Sequence, residues 1–395
     1  SDLGTPYTAR PARVIPDPSQ PSCAVTDLDK GRTYGFRVST FSAQGVESLL
    51  SDELLYTVAT TKTLDVDRLY FPHVETRGDW ETGAAIINTG TKTLNGVLLG
   101  CAADGSVVDS LQIILPPGGR TEVNVSQTFS DADSIRYLVL YHKADGLCGY
   151  TWFSRAGKCR GALPASNPSV SANLPVPHIA SDQTWWTGLG LINTTSEPRG
   201  LVLSFSDGRT RALTIPPDGH SSFLVQDLFN GANQPGLSSL EVKGAQGVVG
   251  LELFGSDNLL SGIRLSADAA TTLAFPHLHS DSKWWTGLVV YNPSAAATNM
   301  TITSFSADGT ALSSKDTVLP GGEKYIGLVR DLSLPEGTAW LRIQASQPVT
   351  GFQLFGTTSG KLLGGFTNTN LLRSSGVFPK LEQQGWTGIA LVNTT

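Results

Sequence analysis

Three histidines, His73, His178 and His277, each follow a proline and stand nine residues before a threonine. An imidazole at a fixed station can ligate a metal or carry a proton, but either task needs carboxylates or further imidazoles at fixed offsets. The fourth copy of the station holds Lys380, and only the third copy supplies companions, in His277-Leu278-His279-Ser280-Asp281. The expected role is a hydrogen-bonded structural histidine behind a rigid proline, with no metal and no cofactor. The paired aspartates Asp65/Asp67 and Asp131/Asp133 lack the remaining oxygen ligands of a calcium loop. The chain contains no Gly-x-Ser-x-Gly, no His-Glu-x-x-His and no phosphate-cradling glycine loop, so no catalytic residue is assigned and a non-enzymatic protein is expected.

The tryptophans are the stronger candidates for a binding surface. They are Trp80, the pairs Trp185/Trp186 and Trp284/Trp285, and Trp386. Neighbouring residues of a strand point to opposite faces, so the two members of a pair cannot enter one core. One of each pair is expected to pack between neighbouring repeats, and the alternative is stacking on sugar rings. Of the four cysteines, Cys23, Cys101, Cys148 and Cys159, three fall in one repeat and the other repeats have none. The repeat fold therefore needs no disulfide. A Cys148–Cys159 or Cys101–Cys148 bond is the candidate elaboration, and buried apolar thiols are the alternative.

These residues belong to a phrase, Trp-x-Thr-Gly followed by alternating apolar residues and an asparagine, that occurs four times. It runs Trp80 to Asn88, Trp185 to Asn193, Trp284 to Asn292 and Trp386 to Asn393. A period of about a hundred residues exceeds the roughly 20–50 of solenoids, so each unit can hold its own core. Along each unit, apolar residues alternate with period two, and the breaks carry turn signals: Asp104-Gly105, Asp207-Gly208 and Asp308-Gly309, then Pro116-Pro117-Gly118, Pro216-Pro217-Asp218 and Pro320-Gly321-Gly322. Six or seven short strands per unit are predicted. The fold class is all-β, with tandem Ig-like or fibronectin-like β-sandwich domains arranged as beads on a string. The predicted organisation is a partial domain over 1–60, a linker at 61–70, repeats at 71–170, 176–270 and 275–373, and the first strand of an incomplete repeat at 376–395. The strand that follows each Trp-Thr-Gly is apolar on both faces, so its outer face needs a cover from a neighbouring bead.

Leu28-Asp29-Lys30-Gly31-Arg32-Thr33-Tyr34 has the spacing of a tyrosine corner, after which Tyr34, Phe36 and Val38 alternate inward and Gly45-Val46-Glu47-Ser48 turns toward a closing strand at 54–58. This stretch resembles the second half of a fibronectin type III domain. The resemblance implies opening strands upstream of Ser1 and places Cys23 in that domain's core. The Phe-Pro-His, Trp-Thr-Gly and Pro-Pro-Gly layout of residues 71–395 resembles tandem repeats that follow fibronectin type III domains in large exported proteins of environmental bacteria, for which no chemistry is implied. Charged residues are 16% of the chain, with 42 glycines, 22 prolines, one methionine and a net charge of −6. That balance fits a turn-rich exported protein and argues against nucleic acid or anionic lipid as partner. No apolar run reaches the length of a membrane span. The expected function is an extracellular or cell-surface structural protein, a stalk, adhesin or filament component that associates with itself or with other surface proteins. A carbohydrate-binding appendage of a secreted enzyme, with glycan as ligand, is the alternative. The last phrase, with Trp386, Ile389, Leu391 and Val392, is read either as the edge of a longer protein or as a strand donated to another chain.

Overall fold

The period-two alternation is realised as strands in the three full repeats. The computed structural model describes Val25, Leu28 and residues 32–57, 67–168, 170–367, 375–381 and 387–394. The chain divides into two compact units, Ser1–Asp67 and Arg68–Thr395. In the first, β1 (Thr33–Phe36) pairs antiparallel with β2 (Leu54–Thr57), and Phe41 bridges Glu47 across the turn. Tyr34 is buried there, but Val38 is 68% exposed, so the inward alternation expected of Tyr34, Phe36 and Val38 stops after Phe36. Cys23 lies outside the described residues.

The second unit repeats one pattern. Repeat 1 contains β3 (Asp67–Phe71), β4 (Trp80–Asn88), β5 (Leu94–Cys101), β6 (Val107–Leu115), β7 (Arg120–Asn124), β8 (Tyr137–His142), β9 (Leu147–Arg155) and β10 (Cys159–Pro164). Its sheets run β3-β8-β5-β6 and β10-β9-β4-β7. Repeat 2 follows with β11 (Asn173–Val176), β12 (Trp186–Asn193), β13 (Arg199–Phe205), β14 (Thr210–Ile215), β15 (His220–Leu224), β16 (Leu240–Lys243), β17 (Val248–Gly255) and β18 (Leu260–Arg264), in sheets β11-β16-β13-β14 and β15-β12-β17-β18. Repeat 3 has β19 (Ala270–Phe275), β20 (Trp284–Tyr291), β21 (Thr298–Phe305), β22 (Ala311–Leu319), β23 (Lys324–Leu328), β24 (Trp340–Thr357) and β25 (Leu363–Thr367). Here β24 runs unbroken through both layers, pairing β19 and β21 with its first half and β20 and β25 with its second.

The two sheets of each repeat share one core, which makes each repeat a sandwich. In repeat 1, Phe71, Leu98 and Leu138 from one sheet pack with Ala84, Ile86 and Val123 from the other. The hairpin turns fall where the Asp-Gly pairs stand, with positive φ at Gly105, Gly208 and Gly309.

Several expectations need correction. The segment 61–70 is not all linker, because Asp67–Tyr70 already belongs to β3. Each repeat also has a strand ending just before the Pro-His station, where proline, lacking an N–H, stops the ladder. The repeats are not separate beads, because residues 68–395 form one compact unit. Apolar clusters join repeat 1 to repeat 2 and repeat 2 to repeat 3. The fourth phrase forms no strand over its described residues 387–394. None of Cys101, Cys148 and Cys159 forms a disulfide. In the β9–β10 ladder Cys159 lies opposite Arg155, seven positions along β9 from Cys148. At about 3.3 Å per residue this separation far exceeds the 4.4–6.8 Å between Cα atoms that a disulfide spans.

Candidate functional site at the repeat seams

The recurring phrase is a structural fastener. Thr82, Thr187 and Thr286 are fully buried. Each hydroxyl donates to a backbone carbonyl two residues past the histidine station, at Glu75 (2.7 Å), Ala180 (2.9 Å) and His279 (2.6 Å). The same oxygen accepts the N–H of that residue. The asparagine closes the other end of the strand. The Nδ2 of Asn193 donates to the carbonyls of Glu197, Ile215 and Pro216, and Asn292 does the same to Ala296, Leu319 and Pro320. Asn88 donates to Lys92 and Leu115. A buried polar side chain with all its partners supplied fixes the turn it touches. In the sequence these residues mark a strand and do not by themselves reveal the bonds they make. Their signal was present all the same: polar residues recurring at inward positions of an apolar alternation.

Inward Thr, Leu, Leu and Asn on β12 leave Trp186, Gly188, Gly190 and Ile192 facing outward. That face is covered by repeat 1. Ile192 and Val249 pack with Tyr70, Cys101, Tyr137 and Val139, and beside them Leu251, Leu253 and Leu260 pack with Phe153 and Leu163. The approach is tight at a glycine: a Cβ on Gly190 would stand 3.1 Å from the His73 Cβ and 3.3 Å from the Pro72 carbonyl oxygen, so the seam would have to give by a few tenths of an ångström to admit one. The His73 ring stacks on His220 at 5.5 Å and lies 6.0 Å from Phe153. His220 also bonds the Pro72 carbonyl through its ring, while its backbone N–H donates to Ala103 (2.8 Å). The Tyr137 hydroxyl donates to the Asp218 carbonyl at 2.6 Å. Burial pushes His73 down to about 4 and His220 well below the usual imidazole range, so both rings are neutral at pH 7.

The second seam keeps the geometry and changes the chemistry. Phe254 and Ile263 of repeat 2 pack with Val289 and Phe352 of repeat 3. His178 meets Lys324, whose Nζ lies 2.8 Å from Nδ1 and donates to the Ser238 carbonyl at 2.5 Å. Burial lowers Lys324 to about 8 against the opposing pull of Glu252. Burial and then the Lys324 charge hold His178 at about 3. Glu252 is fully buried, and burial raises its carboxyl well above the usual range.

The tryptophans distribute along these seams. Trp80 and Trp186 border the apolar cluster of the first seam. Both line a cavity of about 490 Å³ there, with Glu75, Arg77, Arg155 and Asp227 at its wall. The Arg155 guanidinium sits 5.2 Å from the Trp80 ring centre. Trp185 is half-buried at the turn into β12, where Asp182 accepts its N–H. Trp285 lies against Gly287 and Gly356. Trp284 lines a cavity of about 740 Å³ with His277, Phe355, Phe378 and Ile389. Trp386 lies outside the described residues. Ile389 is 47% and Leu391 81% exposed, and Val392 is half-buried. In the third copy, His277 and His279 stack at 6.2 Å and His279 Nε2 lies 3.3 Å from Asp281. Asp281 Oδ1 already accepts the N–H groups of Lys283 and Trp284. No three metal-ligating groups meet among the described residues.

The chain is thus an all-β protein of several sheets whose repeated phrase fastens each sandwich and whose outer faces meet at seams. No family model matches it, and no curated protein matches it. Among solved structures it is similar to Bacteroides uniformis β-glucuronidase 2 covalently bound to cyclophellitol-6-carboxylate aziridine, at 12% identity and a TM-score of 0.15, over 73% of this chain and 32% of that one. A Bacteroides uniformis β-glucuronidase aligns at 10% identity and a TM-score of 0.12, over 55% of this chain and 26% of that one. The chain spans about a third or less of either protein, and likenesses at these TM-scores assign no residue a role.

Proposed function

We propose that this chain is a non-enzymatic structural segment of an exported protein, a rigid scaffold in a stalk, adhesin or filament at a cell surface. The observation that carries the reading is the use made of its chemically capable residues. His73, His220, His178 and Lys324 sit between repeats with one another as partners, the recurring Thr bonds backbone, and the recurring Asn bonds backbone and, at Asn193 and Asn292, the hydroxyl two residues on. Such a body transmits position and load; it does not turn over a substrate. The 490 Å³ cavity between Trp80 and Trp186 supports the second reading, glycan binding, because two indoles beside arginine and carboxylate groups suit a sugar ring and its hydroxyls. A glycan array with the unmodified chain and its Trp80→Ala and Trp186→Ala variants decides between them. No binding is expected. Micromolar binding that both substitutions abolish would replace the scaffold with the carbohydrate-binding appendage.

A further inference from the structure

The two seams share a docking rule. The Pro-His station of one repeat sits against the first residue of the strand after the proline turn in the next repeat: Pro72-His73 on His220, and His178 on Lys324. The corresponding residue of repeat 1 is Arg120, which opens β7. Arg120 Nε donates to the Pro379 carbonyl at 3.0 Å. Pro379 belongs to Phe378-Pro379-Lys380, the fourth copy of the station, so the fourth copy rests on repeat 1 as the first rests on repeat 2. The surface it meets is the outer face of β4 and β9. There Ala85, Ile87 and Tyr150 are only 0%, 6% and 8% exposed, and Tyr150 shares a cavity wall with Pro379 and Lys380.

The last strands of the repeats point to the same geometry. β10 lies against β18, and β18 against β25. Each contact falls on a glycine. A Cβ on Gly161 would stand 3.3 Å from Leu260, one on Gly262 3.2 Å from Leu163, and one on Gly365 3.0 Å from Ser261 Oγ. Residues of these three strands line one cavity of about 320 Å³, and Lys380 lines it with them. The fourth Trp-Thr-Gly stretch, Gly388-Ile389-Ala390, lies across a cavity from His277 and Phe355 of repeat 3, the side on which β12 meets His73 and Phe153 of repeat 1.

We propose that the repeats close into a four-membered ring about their last strands. The fourth copy acts as the clasp: Phe378-Pro379-Lys380 occupies the outer face of repeat 1, and the space between repeats 3 and 1 is shaped for one further Trp-Thr-Gly repeat. Head-to-tail strand donation to another chain would instead put a second copy on the repeat 1 face. Hydroxyl-radical footprinting separates the two, with Tyr150 and Trp152 reporting the clasped face and Tyr137, sealed in the first seam, as internal control. Deleting residues 376–395 is expected to raise oxidation of Tyr150 and Trp152 several-fold with Tyr137 unchanged, and protection in the intact chain should not vary with protein concentration. Equal oxidation with and without the segment would overturn the proposal, as would protection that grows with concentration, which marks a second copy. Should the deletion also expose Tyr137, the full-length double substitution Arg120→Ala, Phe378→Ser decides by the ratio of Tyr150 to Tyr137 oxidation. A ratio unchanged from that of the parent chain rules out the clasp.

Discussion

Lowering the pH from 7 to 4 should weaken the seams before it does anything else to the second unit. In the folded chain His73 stays neutral down to about pH 4 and His178 to about pH 3, because each ring is pressed between two repeats. Released into water, each ring takes up a proton near its ordinary 6.5. For these two rings the unfolded or opened chain binds more protons throughout that window, so their contribution is full above pH 6.5 and falls as the pH drops toward 4, while the raised carboxyl of Glu252 acts in the opposite direction. At 1.36 kcal/mol per pH unit, and allowing for partial exposure, each ring contributes about 2–3 kcal/mol of loss by pH 4. Two rings together reach a large share of the roughly 5–15 kcal/mol that holds a domain folded. Glu75 opposes the effect at His73, and Arg136 and Arg77 reinforce it. Urea unfolding followed by tryptophan fluorescence at pH 7, 5.5 and 4 measures the fall. The His73→Phe variant keeps a ring beside Phe153 and His220 and should lose about 2–3 kcal/mol less than the parent between pH 7 and 4. A His73→Phe variant with the parent's full pH dependence between 7 and 4 would refute the reasoning, because Glu252 acts equally in both chains.

Ile192→Ser should cost about 1–3 kcal/mol by uncovering the first seam, whereas the same change at Val202, 42% exposed, should be close to neutral in thermal unfolding. Asn193→Leu leaves the carbonyls of Glu197, Ile215 and Pro216 without their donor and should cost about 1–3 kcal/mol or more, again read as a shifted midpoint. Mass mapping of the oxidised chain should find Cys148 and Cys159 separately alkylatable. A peptide linking them would show that the β9–β10 register is wrong.

Much of the architecture was legible because it rests on local rules. The Asp-Gly and Pro-Pro-Gly turns, the alternation along β12 with Leu189 inward and Ile192 outward, and the need for a cover over that outer face all follow from strand geometry. The missed parts depend on partners distant in sequence. Cys148 and Cys159 are close along the chain, yet the hairpin between them carries them apart. A string of beads was expected from the repeat length alone, which says that a unit can hold a core and nothing about where its second apolar face goes. Gly190 looks like a weak point in a strand until His73 is placed over it. The histidines' neutrality likewise depends on the next repeat, since no offset within one repeat places His73 against His220 or His178 against Lys324.

Both seams are lined by apolar side chains, and they differ in the polar residues at one station, which can therefore discriminate which repeat follows which. Repeat 1 presents His73 with Thr151 at the inward position of β9, and repeat 2 presents His178 with Glu252 at the matching position of β17. Lys324 suits the second because Glu252 offsets its buried charge, and His220 suits the first because a neutral ring needs no counter-charge. Exchanging the two, His220→Lys with Lys324→His, keeps composition and nearly keeps volume. It places an ammonium group over His73 and Thr151, where the Arg136 and Arg77 charges oppose that of Glu75, and removes the one cation that acts on Glu252. Burying an ammonium group without an offsetting carboxyl costs stability, so the exchanged chain should unfold at distinctly lower urea than the parent. Adding Thr151→Glu and Glu252→Thr should recover part of the loss, because the charge again meets its partner. If the exchanged chain is as stable as the parent, the polar station does not order the repeats, and the connecting segments alone must do so.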